Sequence, residues 1–137
     1  MTAPLQGAVL FTDDVREEAG GKFSFMGLYG PEVWVRRGRP LNLVCTFLLW
    51  AIEPEVTIRG EFEIENAPEG TATPPPILRT IRKDEDDLAD RWMIHMIRRI
   101  VLPVAEEPIV FVAQFRVGDQ LFSNRVLLDP EPEAPAS

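Results

Sequence analysis

Residues Val56-Thr-Ile-Arg-Gly-Glu-Phe-Glu-Ile-Glu65 have side chains that alternate between apolar and polar, and this alternation is the clearest indication of the fold class. A period of two is typical of a β-strand that buries one face and exposes the other. Gly60 stands where this pattern requires an apolar side chain, which indicates a bulge or a close approach by another part of the chain. The segment therefore predicts a half-buried strand.

Further apolar segments recur on both sides of this strand, separated by Gly, Pro and Asp residues. They cover residues 6–12, 22–29, 32–35, 41–52, 108–117 and 120–128. Segment 41–52 is apolar on both faces, as expected for a central strand that is covered on both sides. Gly118-Asp119 joins the last two segments and predicts a hairpin turn with a positive φ.

Residues 84–100 fit two secondary structures. Acidic residues at the start suit the first turn of a helix, which favours negative charge. The second half instead contains Ile100-Val101-Leu102, which favours β-structure, and the segment stops at Pro103. We predict a strand over 92–102 and a loop over the acidic residues 84–90.

The sequence thus predicts an all-β fold: a single-domain antiparallel β-sandwich, C2- or immunoglobulin-like, with seven to nine strands and little helix. A length of 137 residues suits one domain, and thirteen prolines fit loops and edge strands better than helices. We expect the domain to span residues 1–129. Residues 130–137, rich in Pro, Glu and Ala, are predicted to be a disordered tail.

Composition excludes several classes of function. A net charge of −8 argues against nucleic acid or anionic membrane partners. A single cysteine, Cys45, and a single histidine, His95, exclude a disulfide framework and a metal centre rich in thiolate or imidazole. The N-terminus lacks the layout of a signal peptide, so we expect a cytoplasmic protein. We also expect no cofactor.

The N-terminal third contains the most distinctive motif. It reads Asp13-Asp14-Val-Arg16-x-Glu18, followed by Gly21-Lys-x-Ser-x-x-Gly27-x-Tyr29. This motif resembles the signature of an uncharacterised bacterial domain family, DDVRxE…GKxSxxGxYG. The resemblance implies a β-sandwich over about residues 6–128 and no established activity.

Two charged segments are candidate interaction sites. The first comprises Asp13, Asp14, Arg16 and Glu18. These residues can hold a strand-to-turn corner together, which is the more common role of turn carboxylates, or they can form a recognition loop. The second comprises Trp34, Arg36, Arg37 and Arg39. It becomes a candidate interface if Trp34 is exposed, because Trp and Arg dominate binding hot spots.

A calcium site is the alternative hypothesis. Calcium takes six to eight oxygen ligands, so the loops 13–18 and 84–90 would have to meet at one end of the sandwich. The candidate ligands are Asp13, Asp14, Asp84, Asp86 and Asp87.

A catalytic constellation is not recognisable in the sequence. His95 lies among apolar residues, as a packed and hydrogen-bonded histidine would, and Cys45 lies in the most apolar segment. We therefore expect a non-enzymatic interaction or assembly module that binds another protein through charged loops or a sheet edge. A homo-oligomer is also compatible with the sequence.

Overall fold

The fold is an all-β sandwich, as predicted. The computed structural model describes residues 5–86, 88–103 and 106–132, and these residues form ten strands and no helix. The strands are β1 (Gln6–Thr12), β2 (Asp14–Glu18), β3 (Lys22–Met26), β4 (Glu32–Val35), β5 (Leu41–Ala51), β6 (Glu55–Glu65), β7 (Ile77–Arg82), β8 (Trp92–Leu102), β9 (Ile109–Val117) and β10 (Gln120–Pro130). The immunoglobulin-like type stays a prediction.

Two sheets and one hairpin make up the architecture. One sheet has the order β1-β5-β8, the other has the order β4-β10-β9-β6-β7, and β2 pairs with β3. Apolar side chains from the facing sides of the two sheets form one core, in which the rings of Phe47 and Phe115 stack at 4.6 Å. Each fully buried phenylalanine contributes about 1.5–3 kcal/mol to folding.

Strand β6 confirms the alternation on which the fold prediction rests. Ile58 and Phe62 are buried in the core, whereas Arg59, Glu61 and Glu63 are exposed. A Cβ added at Gly60 would lie 2.8 Å from the ring of Phe115, so the glycine permits a close approach by that ring. Gly118 has a φ of 57°, which is the backbone conformation predicted for the turn between β9 and β10.

Strand β5 is covered on both sides, as its sequence predicts. Its inward side chains join the core, and its outward side chains Val44, Thr46 and Leu48 are also buried. The hairpin of β2 and β3 covers this outer face, where Val15 of β2 is buried too. The hairpin therefore acts as a partial third layer.

Strand β8 resolves the ambiguous segment 84–100, because residues 92–102 pair with β5 along their full length. Arg98 and Arg99 point to opposite faces. The guanidinium of Arg98 lies on the core side, 5.6 Å from the ring centroid of Phe62, whereas Arg99 reaches Asp14 of the hairpin. Since β8 is an edge strand in the described part of the chain, Arg98 is an inward-pointing charge of the kind that protects edges.

Three details differ from the expected antiparallel sandwich. The described residues form ten strands instead of seven to nine, because residues 14–18, which were expected to be a loop, and residues 77–82 are strands too. Strand β4 runs parallel to β10, and after β4 the chain continues into β5 of the other sheet instead of forming a hairpin. Strand β10 reaches Pro130, so the chain is still paired at the predicted start of the tail. Residues 133–137 of that tail lie outside the described residues. In the described ranges, no helix is long and apolar enough to cross a membrane.

Candidate functional site

Asp13 forms the corner between β1 and β2. Its N–H donates to the carbonyls of Met26 (3.0 Å) and Gly27 (3.3 Å), and its Oδ1 accepts a hydrogen bond from the Tyr29 hydroxyl at 2.8 Å. Burial, and then this contact with Asp13, raise the pKa of Tyr29 above its ordinary value. Asp13 therefore has an intramolecular role in the corner.

Asp14 attaches the hairpin to β8. Its Oδ1 accepts hydrogen bonds from the Val15 N–H (2.9 Å) and from Nη1 of Arg99 (3.3 Å), and Arg16 lies 3.7 Å from Oδ2. The Val15 hydrogen bond and then Arg99 hold the pKa of Asp14 below its ordinary value. Arg16 and Glu18 remain exposed, so they are the two residues of this motif that are open to a partner.

His95 adds a second contact between the hairpin and β8. Its ring lies 4.7 Å from that of Phe23, and its Nε2 lies 3.4 Å from a carboxylate oxygen of Glu17. The side chain of His95 is nevertheless 40 % exposed, so the prediction of a packed histidine holds only for its ring contact with Phe23. Cys45 is fully buried, and its burial raises the pKa of the thiol to about 12, which makes the thiol unreactive at neutral pH.

The two acidic clusters of the calcium hypothesis do not come together. Asp14 contacts Arg99, whereas Asp84 and Asp86 precede β8, which begins at Trp92. Seven residues of strand separate positions 92 and 99, or about 23 Å at the usual rise. Asp87 lies outside the described residues, and within the described ranges no three His, Cys, Asp or Glu side chains could hold a metal ion. The four candidate ligands among the described residues, Asp13, Asp14, Asp84 and Asp86, are therefore not assembled into one site.

The segment 31–39 separates into a structural residue and an exposed surface. Arg37 donates from Nε to the Glu131 carbonyl at 2.6 Å, and its Nη1 lies 3.3 Å from Glu106. Trp34 is 64 % exposed on the outer side of β4. Arg36 and Arg39 are exposed and have no carboxylate partner within the residues that the structure describes. We call the exposed residues Glu32, Trp34, Arg36 and Arg39 the Trp34 patch.

The backbone of β4 is open beside this patch. The carbonyls of Pro31 and Val35 accept hydrogen bonds from Leu127 and Glu131, each at 2.9 Å, so the odd-numbered residues face β10. In a parallel ladder, alternate residues direct both N–H and C=O to opposite sides. Glu32 and Trp34 consequently turn these groups away from β10, towards the edge of the sheet. The sequence predicted a segment at 32–35 but not which residues have free backbone groups, because that depends on the pairing with β10.

A shallow hollow of about 190 Å³, which no sequence pattern indicated, lies on the outer face of the five-stranded sheet. Its lining comprises Glu61, Phe62, Glu63, Val112 and Gln114. Glu61 is already paired with Nε of Arg59 at 2.9 Å. The hollow is thus part of the hydrated sheet face, and its residues are not arranged as an acid and a base.

Comparison with known proteins adds no identity: neither a protein-family model nor a curated protein matches this chain. The resemblance of the N-terminal motif to a bacterial domain family stays a prediction.

Proposed function

We propose that the protein is a non-enzymatic interaction module that binds a protein partner through the Trp34 patch. The observation that carries this proposal is the exposure of Trp34. A tryptophan has a large apolar surface, and at 64 % exposure it leaves most of that surface in water. A cytoplasmic location belongs to the same proposal, and the free, buried Cys45 thiol is compatible with it.

The surroundings of Trp34 suit a binding site. Strand β4 is held in place by β10, and Val33 and Val35 pack against the core, so the indole is presented on a fixed backbone. Arg36 and Arg39 supply guanidinium groups without a carboxylate partner in the described part of the chain. Trp and Arg are the residue types most enriched in hot spots.

A cross-linking experiment tests the proposal. The purified protein is cross-linked in a lysate of its native host, and captured partners are identified by mass spectrometry. We expect Trp34→Ala to reduce capture of the main partner at least tenfold, which corresponds to about 1.4 kcal/mol for the loss of a hot-spot side chain.

Two control variants make the result specific. Trp50→Ala removes a tryptophan that is 39 % exposed on the other sheet, and Arg16→Ala changes the exposed part of the hairpin. Both should capture the partner as the wild type does. If Arg16→Ala loses the partner and Trp34→Ala retains it, the hairpin is the recognition surface and our assignment is wrong.

A further inference from the structure

We propose that the partner of the Trp34 patch is a second copy of this chain, which docks on β4 edge to edge around a two-fold axis. This inference rests on the proposed function, because it names the partner for the same surface. It would join two five-stranded sheets into one continuous sheet.

The backbone of β4 is suited to such pairing. Glu32 and Trp34 direct their N–H and C=O groups to the open edge. Arg36 follows Val35, the last residue of the strand, so one further extended residue on docking would continue this alternation. In an antiparallel ladder, residues with free groups lie opposite each other and exchange both hydrogen bonds. A two-fold axis at Trp34 therefore places the two Trp34 residues opposite each other, as a hydrogen-bonded pair.

The side chains select this register. With Trp34 at the axis, Glu32 lies opposite Arg36 of the second copy, and Arg36 lies opposite its Glu32. Directly opposed residues have Cβ atoms about 5 Å apart, within reach of an ion pair. Within one chain the same two residues are four positions apart along the strand, or about 13 Å, which prevents them from pairing with each other. The edge is thus complementary to itself, as a two-fold interface requires.

Other pairings lack this complementarity. An axis at Val33 would place Glu32 opposite Trp34, and both ion pairs would be lost. The edge strand β8 is apolar and longer, but an axis at Ile97 would bring Arg99 opposite His95 and Arg98 opposite Met96. That arrangement gains no opposite charges and confines Arg98 against an apolar neighbour. Of the β4 and β8 edges, β4 is therefore the one at which a second copy gains ion pairs.

Sedimentation velocity on a charge-swap series tests the proposal. Wild type, Glu32→Arg, Arg36→Glu and the double variant are compared from about 1 to 300 μM, at 150 mM salt, where the Debye length is about 8 Å. We expect the wild type to dimerise with rising concentration. Each single variant creates two like-charge pairs and should weaken association about tenfold or more. The double variant restores both pairs in reversed orientation and should dimerise as the wild type does.

The series separates specific pairing from bulk charge. Replacing one charge with its opposite changes the net charge by two. The wild type has a net charge of −8, so Glu32→Arg has −6, Arg36→Glu has −10 and the double variant has −8. If bulk repulsion governed association, Glu32→Arg would dimerise more strongly than the wild type, which would overturn the proposal. Both substituted residues are exposed, and circular dichroism with thermal unfolding tests that each variant is folded.

Two further outcomes would also overturn the second copy as partner. One is a wild type that stays monomeric at every concentration, and the other is a dimer that neither single variant weakens. The cross-linking result remains independent of both. If Trp34→Ala no longer captures a protein other than this chain, the proposed function is supported with that protein as the partner. If Trp34→Ala captures the same proteins as the wild type and the wild type is monomeric, both proposals are contradicted.

Discussion

Single residues in the N-terminal motif act through partners that are distant in the sequence. Asp13 accepts from the hydroxyl of Tyr29, and its backbone N–H donates to the loop after β3. Gly27 lies in that loop with a φ of 66°, and a Cβ added to it would be 2.8 Å from Cγ of Asp13. The corner therefore requires glycine for two reasons, its backbone conformation and its lack of a side chain.

Replacing Gly27 by alanine should destabilise the protein by about 3 kcal/mol, because a left-handed alanine costs about 1–2 kcal/mol and the contact with Asp13 adds to this. Gly20→Ala is the matched control. Gly20 has a φ of 82°, but a Cβ there would meet no atom within 4 Å, so we expect a loss of about 1 kcal/mol. Urea unfolding at 25 °C measures both values.

A second variant identifies the source of the difference. In the Gly27→Ala background, Asp13→Ala removes the carboxylate that the new methyl group meets, and part of the lost stability should return. Equal losses for Gly20→Ala and Gly27→Ala would show that the carboxylate moves aside without cost and that the corner is not tightly packed.

The sequence identified the charged and aromatic residues of these sites, but not the contacts that each of them makes. The Asp13–Tyr29 contact spans 16 positions and the Arg37–Glu131 contact spans 94, and neither partner can be found from local spacing. Arg36, Arg37 and Arg39 are equivalent in the sequence, yet the structure uses Arg37 to hold the end of β10. Trp34 required the fold as well, because its exposure depends on β4 being an edge strand.

Among the secondary-structure elements, strands with alternating side chains and clear turn residues could be predicted from the sequence. The strands with which they pair could not. β1, β4 and β8 have the predicted bounds. The parallel pairing of β4 with β10 joins segments nearly 100 positions apart, which no local pattern encodes. The third layer was also not predictable. Apolar side chains on both faces of segment 41–52 predict that both faces are covered, but they do not indicate that the hairpin of β2 and β3 covers the outer one.

Strand β8 supports a prediction about edge protection. Arg98→Val would make every inward-facing side chain of the edge strand β8 apolar. We therefore expect the variant to self-associate more strongly than its parent, which has Arg98. The measurement is light scattering during size-exclusion chromatography at about 100 μM. It is made in the Arg36→Glu background, which weakens association through β4.

Arg98→Lys is the control for charge, and it should behave as the parent does. The inward-facing cation, in this account, prevents a second β8 from pairing, because pairing would confine the guanidinium without water. If Arg98→Val elutes as the same species as Arg98→Lys, the edge is protected in some other way, such as by the charged side chains next to it.

For the whole molecule, few groups can make the stability depend on pH in the alkaline range. Of the 14 basic residues only Lys22 and Lys83 are lysines, and the arginines keep their charge in any accessible alkaline range. The negative net charge therefore grows little between pH 7 and pH 10.5. Destabilisation in that range has to come from groups whose pKa differs between the folded and unfolded chain, and the buried Cys45 thiol is the clearest of these.

Stability should fall by about 1.4 kcal/mol per pH unit above pH 9 through Cys45 alone. The folded thiol has its pKa raised to about 12, so it keeps its proton while the unfolded chain loses one. The contribution is complete below the ordinary thiol pKa and is lost as the pH rises towards 12. Tyr29, whose pKa is also raised, adds to the same decline. Urea unfolding at pH 7, 9 and 10.5 with a reductant present measures the slope.

Cys45→Ala distinguishes the thiol from all other groups. The variant is less stable than the wild type at pH 7, because a fully buried side chain is shortened. That difference should stay constant from pH 6 to pH 8 and shrink above pH 9, where only the wild type has a thiol to ionise on unfolding. Parallel curves up to pH 10.5 would mean that water reaches Cys45 in the folded sandwich, and the two sheets would then be less tightly packed around β5 than the structure indicates.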